Sequence, residues 1–302
     1  MFKLTKRHCK LFFKDKGMFL CALITPLILL VLYITFLGKV FKDSYTMSFP
    51  EGVNVPDSLL NGLAGGQLLS SLLSVCCVTV AFCSNMIMVQ DKFNGARKDL
   101  LITPLKKQKL AISYYLATLI STLIICFVAT AACYIYLAIV GWYMTFIDCL
   151  LVLLDVFLIT MFGTVLSSIV SHFLTTQGQV SAVGTVVSSM YGFISGAYMP
   201  IASFGVGLQK VLMFLPSTYC SALIRNHAMR GALVGLENAG IPNSIIASIK
   251  DGIDCNLYFF GHNVSIGWMY AIIITTIVTL MAVYILLNIV KIKPLKKIKS
   301  LI

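Results

Sequence analysis

Charged residues are scarce in this chain. Of its 302 residues, 11% are Asp, Glu, Lys or Arg and 59% are hydrophobic, and the mean hydropathy is +0.93. A soluble domain carries about 25% charged residues, so this composition cannot cover a soluble globule and excludes a soluble enzyme. Aromatic residues make up 11%, which excludes intrinsic disorder, because disordered chains are poor in them. The composition therefore predicts a polytopic membrane protein.

Acidic residues are scarcer than basic ones, with 11 Asp and Glu against 23 Lys and Arg, and the formal net charge is +12. In a soluble protein this excess would suggest nucleic-acid binding. Most of the basic residues, however, form clusters beside hydrophobic runs, within residues 1–16, 90–109 and 291–302. Such clusters are typical of cytoplasmic segments of membrane proteins. We therefore expect these segments in the cytoplasm, with membrane lipids as partners and no nucleic acid.

Common catalytic and metal-binding motifs are also missing. The patterns G-x-x-x-x-G-K-[ST], H-E-x-x-H and G-x-S-x-G do not occur, so we expect no phosphate loop, catalytic site or cofactor in this chain. The 10 cysteines lie mostly in apolar runs and show no zinc-ligand spacing, so neither a metal site nor a disulfide framework is expected. The histidines are far apart, and we interpret all four as loop or interface residues: His8, His172, His227 and His262.

Six apolar stretches reach or exceed the roughly 20 residues that a helix needs to cross a bilayer core. They cover residues 18–37, 64–89, 110–140, 148–170, 180–199 and 266–290. An even number of spans places both termini on the cytoplasmic side, in agreement with the basic clusters. The predicted fold class is an all-α polytopic membrane protein, with a single transmembrane domain over residues 1–302.

The N-terminal residues 1–16 are too short and too basic to span. Leu and Phe side chains interleave with Lys there, which predicts an interfacial helix lying on anionic lipid. The alternative is an orientation signal without a defined helix. Between the first two spans, residues 39–63 are polar and are expected to form an outer loop.

Residues 200–225 do not fit a simple span. Glycine and proline break this apolar stretch into short pieces, and such backbone is tolerated at membrane depth only where protein or a cavity shields it. We predict a re-entrant outer hairpin between spans five and six, marked by Gly196, Pro200, Pro216 and Arg225. Residues 226–263 then form an outer loop, with short helical stretches around residues 242–251.

Asp155 is the one acidic residue well inside a predicted span. A carboxylate at that depth is costly and usually faces the bundle interior or water, with a partner. It could contact substrate or sense protons. The alternative, which we favour, is a structural hydrogen bond to a Ser, Thr or Tyr of a neighbouring helix.

The cytoplasmic segment 91–104 reads DKFNGARKDLLITP. Asn94-Gly95 predicts a bend, and the following residues predict a short helix with one charged end and one apolar end that Thr103-Pro104 terminates. Exposed charge on such a helix suits it to a groove on a cytoplasmic partner, whereas an ordinary basic loop is the alternative. The candidate coupling residues are Asp91, Lys92, Phe93, Asn94, Gly95, Arg97, Lys98, Asp99, Leu100, Leu101, Thr103 and Pro104.

Here the chain resembles the membrane subunits of ABC-2 type transporters, with the type V exporter fold. In that family this loop typically reads E-R-E-x-G-T-x-E-x-L-L-x-T-P, and the matching residues here are Asp91, Gly95, Leu100, Leu101, Thr103 and Pro104. A second family pattern follows the fifth span. It consists of a small residue and Gly, then an aromatic residue or Met before Pro, and then a broken hairpin with a second Pro and a closing Arg. The matching residues here are Ser195, Gly196, Tyr198, Met199, Pro200, Pro216 and Arg225. Phe93 and Lys98 replace frequent Glu residues, and Ala96 replaces a frequent Thr.

The resemblance implies a permease subunit of a drug- or antibiotic-exporter-like ABC transporter in a bacterial plasma membrane. Two such subunits, as a homodimer or heterodimer, would work with separate ATPase subunits that bind ATP and Mg²⁺. The expected cargo is an amphiphile, such as a drug, a lipid or a hydrophobic peptide. Alternatives are export of a polysaccharide or lipid-linked glycan, a lipid-modifying membrane enzyme, and a non-transporting assembly or immunity factor. The segment 91–104, called the coupling segment below, belongs to the basic cytoplasmic loop 90–109, and its basic character implies an acidic groove on the ATPase.

Small residues on the second and fifth predicted spans would permit close packing at a subunit interface or line a transport path. They are Gly65, Gly66, Gly184, Ser188, Ser189 and Gly192.

Overall fold

The computed structural model describes residues 1–47, 49 and 55–289, and nearly all regular structure there is helical. The basic C-terminal cluster, residues 291–302, lies outside the described residues. The helices are α1 Phe2–Lys14, α2 Lys16–Leu32, α3 Gly38–Met47, α4 Asp57–Ser84, α5 Met86–Phe93, α6 Ala96–Ile102, α7 Lys107–Val140, α8 Phe146–Phe173, α9 Gln177–Ile194, α10 Val206–Leu212, α11 Pro216–Asn238, α12 Asn243–Gly252 and α13 Ile266–Ile289. A π-helical turn, Tyr33–Leu37, joins α2 to α3; a 3₁₀ turn, Ile201–Ser203, precedes α10; and strands β1 Tyr258–Phe259 and β2 His262–Asn263 form an antiparallel hairpin.

Five helical stretches among the described residues are long and apolar enough to cross a membrane. They are Lys16–Met47, Asp57–Phe93, Lys107–Val140, Phe146–Phe173 and Ile266–Ile289. Each of the five contains one predicted span in full, apart from residue 290, the last residue of the span 266–290, which lies outside the described residues. This architecture confirms an all-α polytopic membrane protein.

The remaining predicted span, residues 180–199, corresponds to α9, which has 18 residues and is not among those five stretches. Polar residues in its first turn lower its hydropathy: the helix begins Gln-Gly-Gln. The count of six spans therefore stays a prediction.

Helix α4 forms the centre of the bundle, and nearly all of its side chains from Leu59 to Ser84 are buried. It packs against α2, α7, α8 and α11. Close approach depends on small residues: a Cβ added at Gly66 would lie 3.0 Å from the Ala228 carbonyl oxygen of α11. Gly65 and Gly66 therefore serve packing within this chain, whereas a Cβ added at Gly184 of α9 would meet nothing within 4 Å.

Two predicted loop boundaries differ from the structure. The sequence predicts a loop over the polar stretch 39–63, but α3 continues to Met47 and α4 begins at Asp57. Polar residues are compatible with a helix at a membrane end, and the ion pair of Lys42 with Asp57, 3.0 Å, joins the two helices.

The second difference concerns α11, which runs from Pro216 to Asn238, so Arg225 lies within a long helix and does not end a hairpin. Pro216 occupies the first helical position, where its missing N–H group costs nothing and its fixed φ favours the helix. The expected short helix near residues 242–251 is α12.

Candidate functional site

The coupling segment contains the predicted bend and the predicted short helix. Gly95 has φ +81°, in the left-handed region that favours glycine, and α6 follows it directly. Leu100 and Leu101 are half-buried and pack against the main hydrophobic core. The side chain of Ile102 is 84% exposed. Helix α6 thus rests on the bundle by one side only. The segment's other exposed candidates are Phe93, Asn94, Lys98, Asp99, Thr103 and Pro104.

Asp91, at the start of this segment, is buried and points inward. Its Oδ2 lies 2.8 Å from Arg7 Nη1 of α1 and accepts a hydrogen bond of 2.6 Å from the Tyr114 hydroxyl of α7. The buried His8 ring stacks on Tyr114, with 4.1 Å between ring centroids. Asp91 therefore does not belong to the exposed surface; it ties the coupling segment to α1 and α7.

His8 belongs to this cluster in its neutral form. The pKa of His8 is lowered from 6.5 to about 4: burial is the main cause, the Asp91 charge opposes it, and the Arg7 charge adds to it. Its Nδ1 lies 3.1 Å from Arg7 Nη1. The sequence carried a signal for this burial, because Thr5, His8 and Phe12 share one face of α1 and all are buried.

Lys92 is the second inward anchor. Its Nζ donates hydrogen bonds to the carbonyl oxygens of Ser171, His172 and Leu174, at 2.7, 2.7 and 2.9 Å. These carbonyls end α8, where a cation is favoured by the helix dipole and by otherwise unpaired oxygens. Of the twelve predicted coupling residues, Asp91 and Lys92 thus position α6 and do not present charge to a partner.

Of the predicted hairpin residues, Gly196 contacts Arg225, whose side chain is fully buried. Arg225 donates to the Ile253 carbonyl at 2.6 Å and to the Gly196 carbonyl at 2.8 Å, and its Nη1 lies 3.5 Å from Asp254 Oδ2. Gly196 has φ +70°, and a Cβ added there would lie 3.1 Å from Asp254 Oδ2, so glycine is required at this turn.

Asp254 completes this cluster and was not predicted. Its carboxylate accepts the backbone N–H groups of Ile201, 2.6 Å, and Ala202, 3.1 Å. Burial raises the pKa of the Asp254 carboxyl, whereas the Arg225 charge and the two N–H groups act to lower it. Arg225 and Asp254 together fix the chain after α9 to the loop after α12. Pro200 precedes the 3₁₀ turn that Asp254 holds.

Asp155 lies fully buried in α8, at the junction with two other helices. His227 Nδ1 of α11 lies 2.6 Å from Asp155 Oδ2, and the Tyr270 hydroxyl of α13 donates to Oδ1 at 2.6 Å. The hydrogen bond to a tyrosine of another helix agrees with the favoured expectation. Interpreting His227 as a loop or interface residue is wrong, because it is buried within α11.

A further ion pair joins α8 to α11, nearer to the start of α8 and to the end of α11. Arg230 Nε of α11 lies 2.8 Å from Asp148 Oδ1 of α8, and Asp148 is fully buried while the Arg230 side chain is half exposed. Asp148 also accepts the Thr145 N–H in a capping box at the start of α8. Three basic residues of α11 therefore each have an acidic partner.

The ABC-2 type transporter family matches residues 1–227, three quarters of the chain. The chain belongs to that family. This membership makes it a membrane component of an ABC-type transporter. The comparisons with curated proteins and with solved structures give no match.

In this ABC-2 subunit the matched residues include the whole coupling segment, Asp155, His227 and Arg225. Asp254 and Tyr270, the partners that complete two of the buried clusters, lie beyond the match. In the described part of the subunit no three His, Cys, Asp or Glu side chains form a group that could hold a metal ion.

Proposed function

We propose that the chain is the permease subunit of an ABC exporter that moves an amphiphilic substrate outward. The energy comes from a separate P-loop ATPase subunit that binds ATP and Mg²⁺ and contacts α6. The observation that carries this proposal is a short exposed helix whose base is anchored in the bundle by Asp91 and Lys92. A partner that binds α6 acts on those anchors as well.

The anchors connect α6 to the parts of the bundle that would have to move. Asp91 leads to α1 and α7, and Lys92 leads to the end of α8. Nucleotide can shift the permease between two arrangements only if the ATPase contacts differ between them. A rigidly held α6 transmits such a difference, whereas a loosely tethered loop would absorb it.

The charge of the exposed surface defines the chemistry of the ATPase groove. Lys98 is exposed at the start of α6, and Lys106, Lys107 and Lys109 are exposed just beyond it. Asp99 is the one acidic residue of α6. We propose an acidic groove on the ATPase subunit that accepts Arg97 and Lys98 of α6, whereas the lysines beyond α6 lie outside this contact.

The proposed topology has six spans with α9 as the fifth, both termini in the cytoplasm of a bacterial cell, and a re-entrant element in the outer leaflet that begins after α9 and continues into α11. Helices α2 and α9 leave apolar side chains exposed, and a second permease subunit, identical or different, would cover part of them. The exposed apolar side chains are Leu20, Ile24, Leu27, Ile28 and Val31 of α2 and Val186, Met190 and Phe193 of α9. A path lined by such side chains suits an amphiphile.

Charge reversal on α6 tests the proposal. The permease is co-expressed with a candidate ABC ATPase subunit from the same genome, and the ATPase that co-purifies is measured. Each exposed ion pair contributes up to about 1 kcal/mol, or about fivefold in affinity. Arg97→Glu with Lys98→Glu should therefore reduce co-purification and substrate-stimulated ATP hydrolysis by about 20-fold.

The matched control is Lys106→Glu with Lys107→Glu, which changes the charge equally just beyond α6. This control should retain most of the binding, and membrane abundance should not change in either double variant because other lysines remain in the loop. Unchanged assembly and hydrolysis in the α6 variant would mean that the segment serves only as a topology signal.

A further inference from the structure

Two neighbouring cavities lie beside the β1–β2 hairpin. One has a volume of about 290 Å³; its lining is largely apolar and aromatic but includes three charged side chains, Lys210, Asp251 and Asp254. The other has a volume of about 660 Å³ and is lined mainly by apolar and aromatic side chains, among them Trp268. Phe259 and Phe260 line both cavities. A cavity with charged groups at its wall and a cavity with an almost wholly apolar wall thus share two aromatic side chains.

The shared wall is held in a defined shape. Phe260 and Gly261 connect β1 to β2 and both have positive φ, 48° and 84°, as in a two-residue type I′ turn. The rings of Phe259 and Phe260 meet edge to face at 4.8 Å, and Phe214 lies 5.2 Å from Phe259. Phe260 is nevertheless 68% exposed. A bulky residue at positive φ is costly, and here its ring remains free to contact a ligand.

The smaller cavity offers one charge of each sign that has no oppositely charged partner among the described residues. Lys210 is exposed and forms no ion pair or side-chain hydrogen bond with the described residues. Asp251 Oδ1 accepts hydrogen bonds from Asn256, 2.7 Å, and Tyr258, 3.1 Å, which leaves Oδ2 available. Asp254 also lines this cavity, but Arg225 neutralises it. The cavity therefore suits a head group that carries both a negative and a positive charge.

The apolar cavity lies at the beginning of α13, a helix long enough to cross a membrane. Trp268, in the first turn, is 68% exposed and lines the cavity together with Ile272, one turn further on. Exposed tryptophan at the end of a spanning helix is typical of the membrane–water boundary. An alkyl chain in this cavity would continue along α13 into the bilayer.

We propose that the paired cavities bind one zwitterionic membrane phospholipid in the leaflet at the beginning of α13. Its phosphate pairs with Lys210, its ammonium group pairs with Asp251, and an acyl chain passes the Phe259–Phe260 wall to lie against Trp268. This site goes beyond the proposed transport function and does not depend on the ATPase partner.

Tryptophan quenching tests the site. The chain has two Trp residues, so Trp142→Phe leaves Trp268 as the single reporter. Two nanodisc samples contain equal amounts of phosphatidylethanolamine and phosphatidylglycerol and differ only in which lipid carries bromine on its acyl chains. Because the bulk composition is the same, the ratio of quenching reports which lipid is enriched at Trp268. We expect a preference for phosphatidylethanolamine of up to about fivefold, as for one exposed charge pair.

Variants then separate a built site from ordinary lipid contact. Asp251→Asn should abolish the preference, and Lys210→Gln should reduce quenching by both brominated lipids. The control Lys250→Gln alters a neighbouring cation whose Nζ lies 4.0 Å from Glu237 Oε1, and it should change nothing. Equal quenching in the two samples, a preference for phosphatidylglycerol, or a preference that survives both substitutions would overturn the proposal. Unchanged Trp268 emission in lipid without bromine shows that the variants are folded.

Discussion

Replacing Arg225 by methionine tests whether its buried cluster fixes the segment after α9. Arg225 donates to the carbonyl oxygens of Gly196 and Ile253 and approaches Asp254 at 3.5 Å, with no solvent exposure of its own. Methionine fills a similar volume but offers no donor. The carboxylate of Asp254 would then keep only two backbone N–H partners.

The expected loss of stability in Arg225→Met follows from the buried charge that it leaves on Asp254. Breaking a buried ion pair by removing one partner costs about 3–5 kcal/mol, because the other charge stays buried without compensation. At roughly 2 °C per kcal/mol for a chain of this size, Arg225→Met should lower the unfolding temperature by about 6–10 °C. Adding Asp254→Asn removes the orphaned charge, so the double variant should recover about 1–3 kcal/mol relative to the sum of the single variants.

Thermal unfolding of the detergent-solubilised chain, followed by tryptophan fluorescence, measures these effects. Lys250→Met is the matched control, since it removes a cation from a surface pair at 4.0 Å and should cost about 0.5 kcal/mol or less. An Arg225→Met variant that unfolds within 2 °C of the parent chain, or additive effects in the double variant, would refute the account of this cluster. The 2 °C threshold is roughly 1 kcal/mol on the same scale.

Three further predictions address other parts of the chain. The folded chain should lose stability as the pH falls from about 6.5 to 4. The reason is that the pKa of His8 is lowered to about 4 in the folded state, whereas in the unfolded chain His8 takes up a proton near its ordinary pKa of 6.5. His8→Gln should flatten this pH dependence of stability, and His262→Gln should not. Asp155→Ala should lower the free energy of unfolding by about 3–5 kcal/mol, and Asp155→Asn by about 1–2 kcal/mol. In a cysteine-free background, an impermeant maleimide applied to whole cells should label a cysteine at Asn238 but not one at Gln108.

Each of these predictions has an outcome that contradicts it. A pH dependence identical in both histidine variants would exclude His8 as the responsible group. Equal stability of the Ala and Asn variants at Asp155 would mean that its hydrogen bonds contribute nothing beyond volume. Reversed or equal labelling at Asn238 and Gln108 would contradict the proposed topology, since both positions are exposed in the folded chain.

Local sequence patterns were sufficient for the long helices and for the coupling helix. The length of the apolar runs alone was sufficient to predict the five stretches that are long enough to cross a membrane, because a helix pairs all of its backbone groups internally and is stable in lipid. The Asn94-Gly95 bend and the Thr103-Pro104 stop bounded α6 correctly to within a residue, since glycine at positive φ and proline act on the adjacent backbone. These signals need no tertiary partner.

Helix ends beyond the apolar core were less predictable. The prediction ended a hairpin at Arg225, but α11 continues to Asn238, because burial against α4 and α8 stabilises helix residues that polarity alone would assign to a loop. The same reasoning applies to α3, whose polar sequence reads as a loop until its contacts with α4 are known.

The sequence by itself determined the class of the protein, the clusters of basic residues beside its apolar runs and the family resemblance, since composition and short motifs are properties of neighbouring residues. The tertiary structure alone decided the partners of the buried charges. Asp91 pairs with Arg7, 84 positions away, and Asp155 with His227, 72 positions away. No spacing rule connects such residues, because they meet only where separate helices pack. The cost of an unpaired charge in the interior then makes each pairing necessary once the helices are in place.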